Sequence, residues 1–307
     1  MMNNSDGYVM LTLKTGCIYN IRRWFQKIAC RLFGPRFMTK IYYRFEMGKR
    51  LNLNKPQLFS EKICWYKLFY CPNNQLIIDC SDKYLVRNYL ISKGLGNYLP
   101  HQLYVWNNVK EINWDQLPKK FAIKCSHGSA YNIICFDKTK LNIEKAKKLL
   151  SKWQKDCFGL YNAEPHYYSS HKRSRIIVEE FIESSQRLPI DYKIHCFNGE
   201  AKFIKTCSDR TGEHTTFYFY DVEGHPLNYG IDTPKNDLDI PIETKNEMLR
   251  VSNLIAKDFP FVRVDFYVVN GKLVIGELTF TPAAGYINFL SDIGDKEIGN
   301  MFDISQL

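Results

Sequence analysis

The sequence contains no apolar run approaching the ~20 residues that a bilayer-spanning helix needs, which argues against an integral helical membrane protein. Residues 8–13 are too short for a signal-peptide core, and no cleavage site follows them. No two of the ten cysteines form a C-x-x-C pair, so the usual zinc frameworks are absent. Cys30, Cys64, Cys125 and Cys196 instead fall in apolar or helical contexts, as buried free thiols do, and a reducing cytoplasm is the expected compartment. The pattern GxxxxGK[ST] is missing, which excludes a P-loop phosphate site. There are no repeats and no low-complexity tracts. What is present is ordinary for a globular protein. The 307 residues, 45% hydrophobic and 24% charged, suffice for one large domain or two or three subdomains with a sizeable core.

Charge is unevenly placed. Residues 1–50 hold ten Lys/Arg and two Asp/Glu, so +8 of the total +10 sits there. Within this segment Ile21, Trp24, Phe25, Ile28, Ala29, Leu32 and Phe33 fall on one helical face, accompanied by Arg22, Arg23, Lys27 and Arg31, and Gly34-Pro35 ends the run. A basic, aromatic, amphipathic helix of this kind lies well in an anionic membrane interface, which makes such a surface an expected partner of residues 21–33. A helix packed on the body with a solvated basic side reads the same way, and both alternatives stand. No recognition motif accompanies the charge, so nucleic acid is not an expected partner.

Further along, helical spacing predicts helices over 59–70, with Ser60 as N-cap, and over 82–92, 144–156 and 245–257. Strands are predicted at 119–125 and 133–136 around the loop SHGSAYN, and at 175–182, 192–197, 201–207 and 215–221. The stretch VRVDFYVVNGKLVIGELTFTPAAG, residues 262–285, predicts a β-hairpin turning at Asn270-Gly271. Several hairpins among mixed elements indicate an α+β fold, not a doubly wound sheet of βαβ units.

That hairpin places Asp265 near the end of one strand and Glu277 near the end of the next, and hairpin partners can bring two carboxylates side by side. Like charges at that distance need a cation between them, and hard oxygen ligands suit Mg²⁺ beside phosphate. Two solvated carboxylates at a sheet edge would look identical. Lys124 enters a small-residue loop, Ser126-His127-Gly128-Ser129, which offers charge and close backbone N–H groups to a phosphate, although an ordinary strand-end turn fits too. The strand Ile176–Ile182 carries paired acids, Glu179 and Glu180, and Asp191-Tyr192-Lys193 adds an acid and a cation before another strand.

In their order along the chain, these pieces resemble an ATP-grasp fold. ELTFTP resembles the ELNxxPG-type ending found in D-alanine–D-alanine ligases and glutamate-adding ligases. Asp191-Tyr192-Lys193 is similar to the D-x-R strand of that superfamily and Arg263-Val264-Asp265 to its R-x-D strand. Asp82-Lys83, with Arg87 four beyond, looks like its D-K helix, where a basic residue reaches the nucleotide phosphates. The finer resemblance is to the teichuronopeptide-biosynthesis, or TupA-like, branch over roughly residues 43–300. It is carried by LNLNKPQLFSEKICWYKL, DKYLVRNYL, LPKKFAIKCSHGSAYNII, DYKIHCFNGEAKFIK, FPFVRVDFY and GELTFTPAAG. Two positions depart from it: Thr279 replaces the second metal-binding asparagine, and Ala130 stands where the branch usually has glycine.

The resemblance implies ATP and Mg²⁺ as cofactors, bound between two sheets. It implies a basic helical segment at 1–50, an N-terminal subdomain at 51–118, a small lid subdomain at 119–182 and a catalytic subdomain at 183–307. Adenine would lie against the hinge Glu179, Glu180, Phe181 and Ile182. Lys124 and the loop Ser126, His127, Gly128 and Ser129 would hold phosphates with Arg87 and Lys193, and Asp191 would also belong to the cofactor site. Asp265, Glu277 and Thr279 would hold the metal, and Arg263, Lys193 and Arg210 would be catalytic. The implied reaction joins a sugar carboxylate, such as a uronic acid of a surface polysaccharide or a lipid-linked glycan precursor, to an amine through an acyl phosphate. A nucleotide-sugar glycosyltransferase is the alternative, disfavoured because no D-x-D stands between strands: Asp237-Leu238-Asp239 lies in a Pro-flanked, loop-like stretch. A non-catalytic nucleotide-binding module is the other alternative, suggested by Thr279.

Overall fold

The computed structural model describes residues 7–11, 17–182, 190–208, 216–269 and 271–307. Its helices are α1 (Cys17–Met47), α2 (Phe59–Trp65), α3 (Gln75–Cys80), α4 (Leu85–Ser92), α5 (Ile143–Gln154), α6 (Ile242–Ala256) and α7 (Asp292–Met301). Its strands are β1 (Tyr8–Leu11), β2 (Gln102–Trp106), β3 (Phe121–Cys125), β4 (Asn132–Cys135), β5 (Ile176–Glu180), β6 (Asp191–Phe197), β7 (Glu200–Ser208), β8 (Thr216–Tyr220), β9 (Pro226–Leu227), β10 (Phe261–Val269) and β11 (Lys272–Thr279). They form two sheets, ordered β1-β4-β3-β5-β2 and β11-β10-β6-β7-β8-β9, and every pairing is antiparallel. The α+β expectation is met: two antiparallel sheets with helices packed against them. The first sheet draws β1 and β2 from before residue 119, so the smaller lobe recruits chain from outside 119–182.

Each sheet buries one face against a helix. Phe121, Ile123, Ile133, Ile176 and Val178 of the first sheet pack with Ala146, Leu150 and Trp153 of α5. Ile194, Phe203, Phe261 and Val264 of the second pack with Met248, Val251 and Ile255 of α6. All nine cysteines with described side chains are buried and unpaired by disulfides. Burial pushes several of these thiols up, Cys125 to about 12, as expected of inert core residues.

Two local expectations change. The N-cap of α2 is Leu58, and it is Glu61 that caps the helix, accepting the backbone N–H groups of Asn52, Gln57 and Leu58 at 3.1, 2.9 and 3.2 Å. Ser60 is buried, where its hydroxyl and amide both reach Asp295 of α7 at 2.7 and 2.8 Å. The helical segment that Gly34-Pro35 was expected to end resumes after a kink. Gly34 takes φ 77°, a conformation open to glycine, and Pro35 starts the second half with its fixed φ.

The orientation of α1 is the other surprise. Lys27 pairs with Asp156, the Arg23 guanidinium lies 3.5 Å from the centroid of the Tyr161 ring, and Cys30 Sγ sits 3.0 Å from the Tyr168 hydroxyl. Arg23 and Lys27 therefore face the body, Arg22 and Arg31 stay exposed, and Ile21, Trp24, Phe25, Leu32 and Phe33 are 49–72% exposed. The helix packs on the body through Ala29, Cys30 and Met38, and Asp156 and the Tyr161 face draw Lys27 and Arg23 inward while Arg22 and Arg31 stay solvated. No helix among the described residues is long and apolar enough to cross a membrane.

Candidate functional site

A cavity of about 420 Å³ opens between the two sheets, a size that suits a nucleotide or drug-sized ligand. Its cationic wall comes from the first sheet and α3–α4. Lys124 lies diagonally across the ladder from Glu179, since Glu179 pairs with Ala122, and its ammonium meets the Glu179 carboxylate. Arg87 reaches the other Glu179 oxygen at 3.7 Å and donates to the Pro100 carbonyl at 3.1 Å. Lys83 donates to the Gly128 carbonyl at 2.5 Å. Burial lowers the pKa of Lys83, and Glu277 and Asp82 offset part of that.

The facing wall is the β10–β11 hairpin. Its register sets Asp265 opposite Glu277 on one side and opposite Lys193 on the other, and Lys193 opposite Lys205. Four charges thus form a row across four strands. Asp265 lies in the middle of its strand, not at the end. It accepts Arg263 Nε and Nη2 at 2.6 Å each and Lys193 Nζ at 2.7 Å. Burial would raise its pKa, but Arg263 and Lys193 outweigh that and hold the carboxyl well below the usual range. Burial would likewise lower the Lys193 pKa, and Asp265 and Asp191 together raise it. Arg263 also donates to the Thr279 hydroxyl at 2.9 Å, and that hydroxyl lies 3.2 Å from Glu277 Oε1.

Magnesium fits this wall through Glu277. That carboxylate lines the cavity, its side chain 41% exposed, with the Thr279 hydroxyl beside it. Asp265 is buried, held by two cations, and does not line the cavity. No cluster of three His, Cys, Asp or Glu suited to a metal forms among the described residues. A magnesium here would therefore take its remaining oxygens from phosphate and water, which is its usual preference.

The structure separates the remaining expected site residues. Gly128 and Ser129 line the cavity. Ser126 and His127 do not: both are fully buried. The Ser126 hydroxyl donates to Asp82 at 2.7 Å, and the His127 ring nitrogens meet the Ser174 hydroxyl and the Asp156 carbonyl at 2.8 and 3.1 Å. Burial pushes the His127 pKa down to about 4, so a neutral ring braces the loop. Glu179 lines the cavity, where Lys124 and Arg87 both reach its carboxylate. Glu180 points outward, 3.6 Å from His101. Phe181 meets Phe136 edge-on at 5.3 Å between centroids, and Ile182 is half-buried. Asp191 pairs with Lys193 at 3.0 Å. Arg210 lies outside the described residues.

Some residues here were not expected. Lys83 was legible from its Asp82-Lys83 dipeptide. Lys205 is buried between Phe217 and Phe289, its ammonium 4.6 and 4.4 Å from their centroids. Its place opposite Lys193 follows from the Asn198-Gly199 turn, whose positive φ values close a tight hairpin, together with a register shift between His195 and Cys196 that moves the pairing by one residue. Arg22, Arg23, Gln26, Tyr161 and Glu164 also line the cavity, and only the tertiary structure brings them there.

The sequence profile described as TupA-like ATPgrasp matches residues 61–303. Among solved structures the chain is similar to D-alanine–D-alanine ligase from Bacillus anthracis complexed with ATP, with 16% identity and a TM-score of 0.43 over 72% of this chain and 66% of that one. It is also similar to D-alanine–D-alanine ligase from Helicobacter pylori, with 14% identity and a TM-score of 0.45 over 80% and 69%. A third is N5-carboxyaminoimidazole synthase from Aspergillus clavatus in complex with ADP and 5-aminoimidazole ribonucleotide, with 10% identity and a TM-score of 0.42 over 67% and 46%. The chain spans slightly less than two thirds of the length of the first structure it matches. No curated protein matches it. With the profile covering most of the chain, and with its lysines, Arg263 and Glu277 meeting in one cleft, the chain belongs to the TupA-like ATP-grasp family.

Proposed function

We propose that this protein is an ATP-dependent, ADP-forming carboxylate–amine ligase that acts on a uronic-acid carboxylate of a bacterial surface polysaccharide or its precursor. One observation carries the reading: Lys83, Arg87 and Lys124 share a cavity with Arg263, Glu277 and Thr279. The three cations suit a triphosphate, whose charge they neutralise and whose terminal phosphorus they orient. Magnesium, when bound, neutralises charge on the transferring phosphoryl group. The donors of Arg263 offset the negative charge that develops on the phosphoryl oxygens and on the tetrahedral oxyanion of amine attack. Gly128 and Ser129 cover the site and keep water from the activated carboxylate.

The polysaccharide assignment rests on family resemblance and on α1. The exposed Ile21, Trp24, Phe25, Leu32 and Phe33, with exposed Arg31, Arg36, Lys40 and Arg44 near them, make an amphipathic surface for the anionic lipid of a membrane. An enzyme so docked would meet lipid-linked glycan substrates. The test is trapping. With ATP, Mg²⁺ and a panel of sugar acids, hydroxylamine should yield a hydroxamate and ADP for the true acceptor. AMP and pyrophosphate in place of ADP would indicate adenylation and sink the proposal.

A further inference from the structure

The α1 wall of the cavity comes from outside the part of the chain that carries the family resemblance. Arg22, Arg23 and Gln26 line the same cavity as Glu277 and Arg263, yet they lie well before residues 61–303, which the family profile matches. Their placement is built. Lys27 is held by Asp156, Arg23 lies on the face of Tyr161, and Cys30 packs with Met38, Cys157, Leu160 and Ala163. Asp156 also accepts both Tyr161 and Tyr131, the latter at the end of the loop that carries Gly128. Arg22 pairs with Glu46 at 3.2 Å, both side chains well exposed, and an exposed pair of this kind exchanges readily for another anion. Guanidinium groups present planar forks that match carboxylates, and a glutamine amide adds a neutral donor.

We propose that Arg22, Arg23 and Gln26 form the subsite for a carboxylate-bearing substrate, held in the cavity that contains Arg263. This rests on the ligase reading of that cavity. An acidic sugar and an amino acid both carry the required group, and the experiment separates them. The full-length chain, loaded with Mg-ADP, is titrated with D-galacturonate, L-glutamate and neutral D-galactose, with binding followed by saturation-transfer NMR and calorimetry. Either galacturonate or glutamate should bind, whichever is the source, and galactose should not. Arg22→Gln combined with Arg23→Gln should weaken that binding about tenfold or more, the loss of charge-assisted hydrogen bonds. Affinity for a fluorescent ADP should stay within about twofold. Because Arg23 also packs on Tyr161, Gln26→Glu is the second variant. It keeps the shape, adds a repelling carboxylate, and should produce the same loss without lowering the melting temperature. Carboxylates that bind the native chain no better than galactose, or variants that bind them as well as the native chain, overturn the subsite. Failure of the native chain to bind ADP overturns the ligase reading, and the subsite falls with it.

Discussion

At the scale of the residue, Arg263 stands between two carboxylates, Asp265 and Glu277. Sequence resemblance groups Asp265 and Glu277 as equivalent metal ligands, but their surroundings differ. Asp265 is 2% exposed and balances Arg263 and Lys193. Removing one partner of a buried ion pair leaves an uncompensated charge and costs about 3–5 kcal/mol. Asp265→Asn should therefore lower the denaturation midpoint by a loss of that order. Glu277→Gln should leave melting nearly unchanged and cut turnover by about two orders of magnitude, as losing one transition-state stabiliser does. Equal melting of the two variants would refute the distinction. The same network makes a prediction for pH. The folded-state pKa of Asp265 is depressed, so its contribution to stability is complete above the ordinary carboxylate range and is lost as pH falls below it. Urea midpoints measured from neutral pH down to about pH 2 should fall for the native chain as pH drops below about 5, and fall less for Asp265→Asn. Gly128 is a third case. It has φ 75°, and a Cβ there would stand 2.9 Å from Tyr131 and 3.1 Å from Phe158. Gly128→Ala should displace the carbonyl that Lys83 holds and weaken nucleotide binding about tenfold, readable with a fluorescent ADP.

At the scale of the element, α1 faces the opposite way from what its periodicity invites. An apolar face normally turns inward, because burial removes it from water. Here Asp156, Tyr161 and Tyr168 receive the other side, and the aromatics are left outside. Trp24→Glu with Phe25→Glu should abolish binding to vesicles of anionic phospholipid, with melting unchanged. Native binding should weaken as salt rises, since the attraction fades within a Debye length of ~10 Å at 0.1 M. Loss of melting temperature in that variant, without vesicle binding by the native chain, would mean that the face packs on protein. Starting the chain at Arg36 is not a neutral truncation, because it removes a cavity wall along with the exposed apolar side chains of residues 21–33. Carboxylate turnover should drop with it even on soluble substrates.

At the scale of the whole molecule, the site exists only where the two sheets meet. Lys124 and Glu179 belong to the first sheet, Arg263 and Glu277 to the second, and Lys83 and Arg87 to the helices before them. A ligand that bridges them binds the native state alone. At a hundredfold excess over its dissociation constant it stabilises by ~2.7 kcal/mol. Mg-ATP should raise the melting temperature of the full chain by several degrees, and GTP should do so less. No shift with any nucleotide at millimolar concentration would count against the cleft as a nucleotide site.

Local sequence was enough for what depends on local chemistry. The period-2 runs gave β6, β7, β10 and β11 and the turn between Val269 and Lys272, which alone would set Asp265 opposite Gly276; a register shift between Asp265 and Phe266, which no alternation encodes, moves it opposite Glu277. The Asp82-Lys83 dipeptide and Lys124 before its small-residue loop were readable in the same way. Three-dimensional packing decided the rest. Ser126 and His127 resemble ligand contacts in one dimension, yet they brace the fold, since Asp82, Ser174 and Asp156 reach them from distant segments. Whether α1 shows its cations or its aromatics to solvent depends on Asp156 and Tyr161, more than a hundred residues away. No helical periodicity encodes that partner, so only the folded chain could bring Arg22 and Arg23 to the cavity.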